Sequence, residues 1–256
     1  MESLKNKIVF ITGATSGIGK SCVYAFAKEG ANLIINARRK NMIGEISEEI
    51  QKQFGVKVFG YELDVRNRRE VENSIKNLPE DWKNIDILIN NAGLAKGFNK
   101  FYEDDIQNWE EMIDTNIKGL LYVTRAIVPG MVERKSGHII MIGSIAGHSA
   151  YPKGAVYCAT KHAVDAITNS LRMDTIDTGI LVSTIDPGLV ETNFSNVRFG
   201  DKEKAKNMYR GLTPLTGDDV ADAVVFCASR PPHVNIAEIT MLAARQATAT
   251  IVHREE

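Results

Sequence analysis

Seven short apolar runs, separated for most of the chain by longer stretches of helical periodicity, constrain the architecture before any single residue is considered. The runs cover residues 8–11, 32–37, 56–63, 85–89, 138–142, 180–185 and 236–242, and the helical patterns cover 17–29, 43–54, 69–78, 109–132, 156–173 and 218–228. Runs rich in Val, Ile and Leu suit strands buried on both faces, so the alternation predicts an α/β chain with a parallel sheet covered on both sides. Right-handed crossovers then make the sheet doubly wound, with ligand sites beyond the carboxyl ends of its strands. The 256 residues suffice for one core, and residues 1–256 read as one domain. Two segments break the pattern. Residues 189–217 form a polar stretch long enough to be a lid or substrate loop, with part of it compatible with short helix. The tail, 243–256, is helix-poor and is expected either to pack on a neighbouring subunit or to fray.

Composition excludes several function classes. Lys and Arg number 31 against 32 Asp and Glu, so no global field attracts nucleic acid. Cys22, Cys158 and Cys227 form no CxxC pair and the histidines no HxxxH pair, so neither a disulfide framework nor a metal site is expected. No apolar stretch is long enough for a bilayer and no secretory leader is visible, which points to a cytoplasmic protein.

The first run leads directly into Thr12-Gly13-Ala14-Thr15-Ser16-Gly17-Ile18-Gly19 and then a helix. Glycines at a strand–helix junction let main-chain N–H groups approach a pyrophosphate at the positive end of the helix dipole, which makes the fold Rossmann-type and assigns Gly13 to Gly19 to a dinucleotide. Arg38 and Arg39 end the second strand, where arginine accommodates a ribose 2′-phosphate and an acid would accept bonds from a free 2′-OH; the cofactor is therefore read as NADP. Asp64 and Val65 end the third strand, where they either flank an adenine or, for Asp64, cap the next helix. In Asn90-Asn91-Ala92-Gly93, small residues permit close approach of the cofactor and Asn91 ties adjacent loops. Pro187 and Gly188 turn the chain after the sixth strand, placing Val190 and Thr192 near a nicotinamide.

At the reacting end, Ser144 follows the fifth strand, and Tyr157 and Lys161 stand one helical turn apart near the start of a helix. An ammonium beside the phenol is expected to lower its pKa, so that Tyr157 exchanges a proton with a carbonyl or alcohol oxygen that Ser144 orients. Asn116, mid-helix and close to Gly119, marks a bend or a functional position.

Together, TGATSGIG, NNAG, Asn116, Ser144, YCATK and Pro187-Gly188 resemble the short-chain dehydrogenase/reductase family in content and order. The resemblance implies a Ser144–Tyr157–Lys161 catalytic set, with Lys161 also holding the nicotinamide ribose and Asn116 anchoring a water relay. Longer matches, including residues 63–68, 113–116, 129–134 and 194–199, are similar to the NADP-dependent 3-hydroxy acid dehydrogenase branch, which includes semialdehyde and sulfoacetaldehyde reductases and is typically homotetrameric. The implied partner is a small acidic carbonyl or alcohol substrate. An acid needs a cation, and Arg198 is the first choice because guanidinium binds carboxylate or sulfonate bidentately, with Arg245 and Lys153 as rivals. His148 and Tyr151 are expected to line the same pocket. The alternatives are a carbonyl reductase for bulkier neutral ketones and a non-catalytic dinucleotide sensor, the latter disfavoured by the intact Ser144, Tyr157, Lys161 and Asn116.

Overall fold

In the computed structural model, which describes residues 2–255, the apolar runs become β1 (Ile8–Thr12), β2 (Asn32–Ala37), β3 (Val58–Glu62), β4 (Ile87–Asn90), β5 (Gly137–Ile142), β6 (Ile180–Pro187) and β7 (Glu238–Met241). They form one parallel sheet in the order β3-β2-β1-β4-β5-β6-β7. The order reverses direction between β1 and β4, and that switch point opens a crevice at the strands' carboxyl ends.

Alternate residues of each strand enter opposite cores. Val9, Ile11, Leu33, Ile35, Ile87, Ile89, Ile140 and Ile142 pack under α1 (Gly17–Lys28), α2 (Lys40–Phe54) and α9 (Gly217–Ala228). Phe10, Ile34, Leu88, Ile139 and Met141 pack under α3 (Arg68–Lys76), α5 (Leu120–Arg134) and α6 (Ala155–Asp174). A third, smaller cluster joins Leu94 and Ala95 to Met112 of α4 (Ile106–Ile113) and to Tyr157 and Cys158 of α6, so α6 starts on an apolar floor.

Three segments are defined more sharply in the structure than by the sequence pattern. The pattern over 109–132 is not one α-helix: α4 and α5 are joined by a π-helical segment, Asp114–Gly119, because Asn116 turns its amide inward to the loop after β4. The irregular stretch after β6 contains two short helices, α7 (Phe194–Phe199) and α8 (Lys202–Asn207). The described part of the tail does not fray but is bonded to its own chain. Gln246 accepts from Leu189 N, Arg254 donates to the carbonyls of Met208 and Arg210, and Glu255 N donates to Gly211 O.

Candidate active site

A cavity of ≈ 800 Å³ occupies the switch-point crevice and runs from Gly13 and Arg38 to Tyr157 and Arg198. Its first end is built by the β1–α1 junction. Ser16 precedes α1 without capping it, and the first turn of α1 holds no acid, so its amides and dipole are open to an anion. Gly19 is absent from the cavity wall. A Cβ there would lie 2.3 Å from Asn91 Nδ2 and 2.4 Å from Gly13 O, so this glycine serves the packing of α1 against the β4 loop. Asn91 ties the same loops by donating to the carbonyls of Thr12 and Gly13.

The two arginines after β2 are not equivalent. Arg39 donates to the hydroxyls of Thr15 (2.9 Å) and Ser16 (2.7 Å), which commits its guanidinium to the glycine loop. Arg38 lines the cavity with its side chain unpaired among the described residues. Asp64 is not a helix cap: Asn67 caps α3, and Asp64 is held by Arg66 at 2.6 Å. Burial alone would raise the Asp64 carboxyl, but the bonds and charge of Arg66 outweigh it and hold the group below the usual range. Val65, Ala92, Gly93, Pro187, Gly188, Val190 and Thr192 also line the cavity. So do Asn36 and Thr115, whose buried side-chain polar atoms have no hydrogen-bond partner among the described residues. An uncapped helix start, a free arginine and unsatisfied polar groups along one elongated wall fit a dinucleotide carrying an extra phosphate.

At the other end, α6 places Tyr157 and Lys161 on its inward face, both buried. Lys161 Nζ lies 6.0 Å from the centroid of the Tyr157 ring and donates to Ile142 O at 2.8 Å. Ser144, from the turn after β5, accepts from Ala146 N at 3.1 Å and lines the same cavity. The expected lowering of the phenol pKa is not found. Burial pushes the Tyr157 phenol well above its usual value, Tyr151 adds to the rise, and Ser144 and Arg198 oppose it only in part. Lys161 instead carries the large downward shift, to about 8, because burial disfavours its charge while Asp186 works the other way. Asn116 braces this end: its Oδ1 accepts from Leu94 N, and its Nδ2 donates to Leu94 O and to the Thr160 hydroxyl on α6.

Of the proposed substrate residues, Tyr151 and Arg198 line the cavity and His148 does not. His148 turns to Asp186, at 3.1 Å, behind the wall. Arg198 is 7% exposed, donates to Tyr151 Oη at 3.0 Å, and lies 4.9 Å from the Phe98 ring centroid. Its Nε has no partner among the described residues, and it makes no salt bridge among them. Arg245 is paired with Glu255 and lies outside the wall, whereas Lys153 is in it, 5.5 Å from the Phe98 centroid. The reading from sequence also lacks Phe98, Phe194 and the tail residues Ala249, Thr250 and Val252, all of which face the cavity. Phe194 lies within the 194–199 match, but only assembly in space brings it and the others to the cavity.

A doubly wound sheet, an anion-ready helix start at its switch point and a Ser–Tyr–Lys cluster across the same cavity define a class, the α/β oxidoreductases. The sequence matches the short chain dehydrogenase family over residues 7–203, and the chain belongs to that family. It is 42% identical over 258 residues to an NADP-dependent 3-hydroxy acid dehydrogenase of Schizosaccharomyces pombe, covering 100% of both chains. It is 41% identical to sulfoacetaldehyde reductase 2 of Chromohalobacter salexigens, over 94% of this chain and 95% of that one. The structure superposes on the closed form of serine dehydrogenase complexed with NADP+ with a TM-score of 0.90, at 45% identity over 97% of this chain and 100% of that chain.

Proposed function

We propose that this chain is an NADP(H)-dependent dehydrogenase that interconverts a small 3-hydroxy acid and its semialdehyde or ketone. The carrying observation is Arg198, a buried guanidinium without an acidic partner among the described residues, in the wall that also holds Tyr157 and Ser144. NADP relatives and the cavity's free Arg38 support the cofactor.

Bound at the glycine loop, the cofactor supplies or accepts a hydride. The chain's own residues do the rest. Tyr157 gives its proton to the substrate oxygen in reduction and takes it back in oxidation. Ser144 orients that oxygen. Lys161, one turn on, would hold the ribose and stabilise negative charge on the phenol oxygen, and Asn116 keeps α6 in place through Thr160. Arg198, with Tyr151 setting its plane, grips the acid group. The raised phenol pKa suits the donor role, since the group arrives protonated at neutral pH. A homotetramer and a cytoplasmic setting belong to the same proposal. Exposed Phe101, Tyr102 and Ile106 offer apolar surface for assembly, and the three cysteines are buried thiols.

The decisive experiment offers NADPH with carboxylate semialdehydes, sulfoacetaldehyde and neutral aldehydes of equal length to the protein and to Arg198→Ala. Turnover of the acids, with KM raised about tenfold or more in the variant for acids alone, is expected. Equal turnover of neutral and acidic compounds would sink the acid assignment.

A further inference from the structure

Behind the reacting end lies a carboxylate that no step above uses. Asp186, on β6, is 3% exposed and outside the cavity wall. Its Oδ1 accepts from Ser144 N at 3.0 Å and from the Thr184 hydroxyl at 2.9 Å. Its Oδ2 meets His148 Nε2 at 3.1 Å. The approach is so close that a Cβ on Gly143 would lie 1.7 Å from Oδ1, so only glycine fits between the catalytic serine and β5. Gly143 N in turn donates to Ile185 O at 2.8 Å. The same short turn carries Ile142 O, the acceptor of Lys161 Nζ. Residues 142–144 therefore hold both the serine hydroxyl and the anchor of the lysine, and the carboxylate grips them from behind.

We propose that Asp186, with His148 as its outer partner, is a positioning residue that fixes the 142–144 turn and through it sets Ser144 and Lys161 for reaction. The inference rests on the reading of Ser144, Tyr157 and Lys161 as the catalytic set. Three ionisable groups act on the carboxylate: His148 from the turn after β5, Glu238 from β7, whose Oε1 is 3.7 Å from His148 Nε2, and Lys161 from α6. Burial favours the neutral acid and Glu238 adds to that, while Thr184 and His148 favour the ion. The ion in turn supports the charge of Lys161 against burial. The outermost member, His148, is one-third exposed, so the arrangement links solvent to the reacting end without passing through the cavity.

Asp186→Asn keeps an oxygen for Ser144 and Thr184 but removes the charge. Its kcat should fall about tenfold or more with KM for NADPH little changed, as expected when reacting groups are misplaced rather than binding lost. The alkaline limb of kcat/KM should move to lower pH, because Lys161 then loses its proton sooner. His148→Ala should move the acid limb to higher pH, because Asp186 takes up a proton more readily, and His148→Gln should restore most of kcat. A folded Asp186→Asn protein with wild-type kcat and pH profile, even with a lower Tm, overturns the proposal. If that variant does not fold, the His148 pair decides alone, and an unmoved acid limb in His148→Ala overturns it. Tyr157→Phe, assayed alongside, separates the two failures, since turnover retained there would remove the catalytic set itself.

Discussion

The Arg198 guanidinium carbon lies 5.6 Å from the centroid of the Tyr157 ring, so the cavity's buried cation and its buried phenol share one end. The same guanidinium is 5.5 Å from the ring of Tyr151 and 5.9 Å from that of Phe199. Aromatic faces on several sides fix its position beside the Tyr157 ring. Under the proposed function, an anion held by Arg198 would sit only a few bonds from the carbon that reacts.

Tyr157→Phe keeps the ring against Phe194, 5.7 Å away, and removes only the proton. Turnover should drop by about 10²–10⁴-fold, the usual worth of a positioned acid. Fluorescence titration should show NADPH binding within a few-fold of the wild type. Substantial residual turnover would reassign the proton donor.

Arg38→Asp tests the phosphate end. Arg38 has no partner among the described residues, so its loss disturbs little else, while a carboxylate there would repel a 2′-phosphate and accept from a free 2′-OH. The Kd for NADPH should rise about tenfold or more, while that for NADH stays or improves. Arg39→Ala should instead loosen the glycine loop, since Arg39 is bonded to Thr15 and Ser16, and so weaken both cofactors.

The pH profile should carry the signature of Lys161. Its free-enzyme pKa is brought down to about 8 by burial, so kcat/KM for reduction should decline as pH rises through that value and the ammonium is lost. Lys161→Arg keeps the charge and should remove that limb, whatever its cost in rate. A wild-type profile flat through that region would show that the ammonium is not required.

His138 offers a test of stability remote from catalysis. It is buried in β5 against the Ser183 hydroxyl at 2.8 Å, and burial lowers its pKa from 6.5 to about 4. The unfolded chain binds this proton below 6.5 and the native chain does not. The neutral histidine's contribution is therefore intact above that pH and lost as pH falls toward 4. Urea denaturation should show a slope of about 1.4 kcal/mol per pH unit in that window from this group, absent in His138→Asn. Equal slopes in both proteins would contradict it.

The sheet was legible from sequence because most strands are compact apolar runs, and its doubly wound form follows from right-handed crossovers, whereas the strand order emerges only from the pairing of the strands in space. The glycine loop and the Tyr157–Lys161 spacing were legible for a similar reason, as each lies within one local element. What escaped depends on distant contacts. The π-helical turn exists because Asn116 bonds Leu94 and Thr160, partners 22 and 44 residues away. His148 lies four residues beyond Ser144 yet faces the opposite way, drawn by Asp186 across the sheet. The phenol's pKa is not legible from spacing, because helical spacing reports the nearby ammonium and not the burial, which dominates.

The tail, finally, adds to the cavity wall without entering its reactive cluster. Ala249, Thr250 and Val252 wall the cavity, and Arg254 clasps the segment that follows α8, yet none belongs to the Ser144–Tyr157–Lys161 cluster. Mutations accumulating in those few residues reshape the cavity wall while the reaction machinery stays untouched. Under the proposed function, relatives that keep the same three residues would differ in what the cavity admits through this last stretch alone.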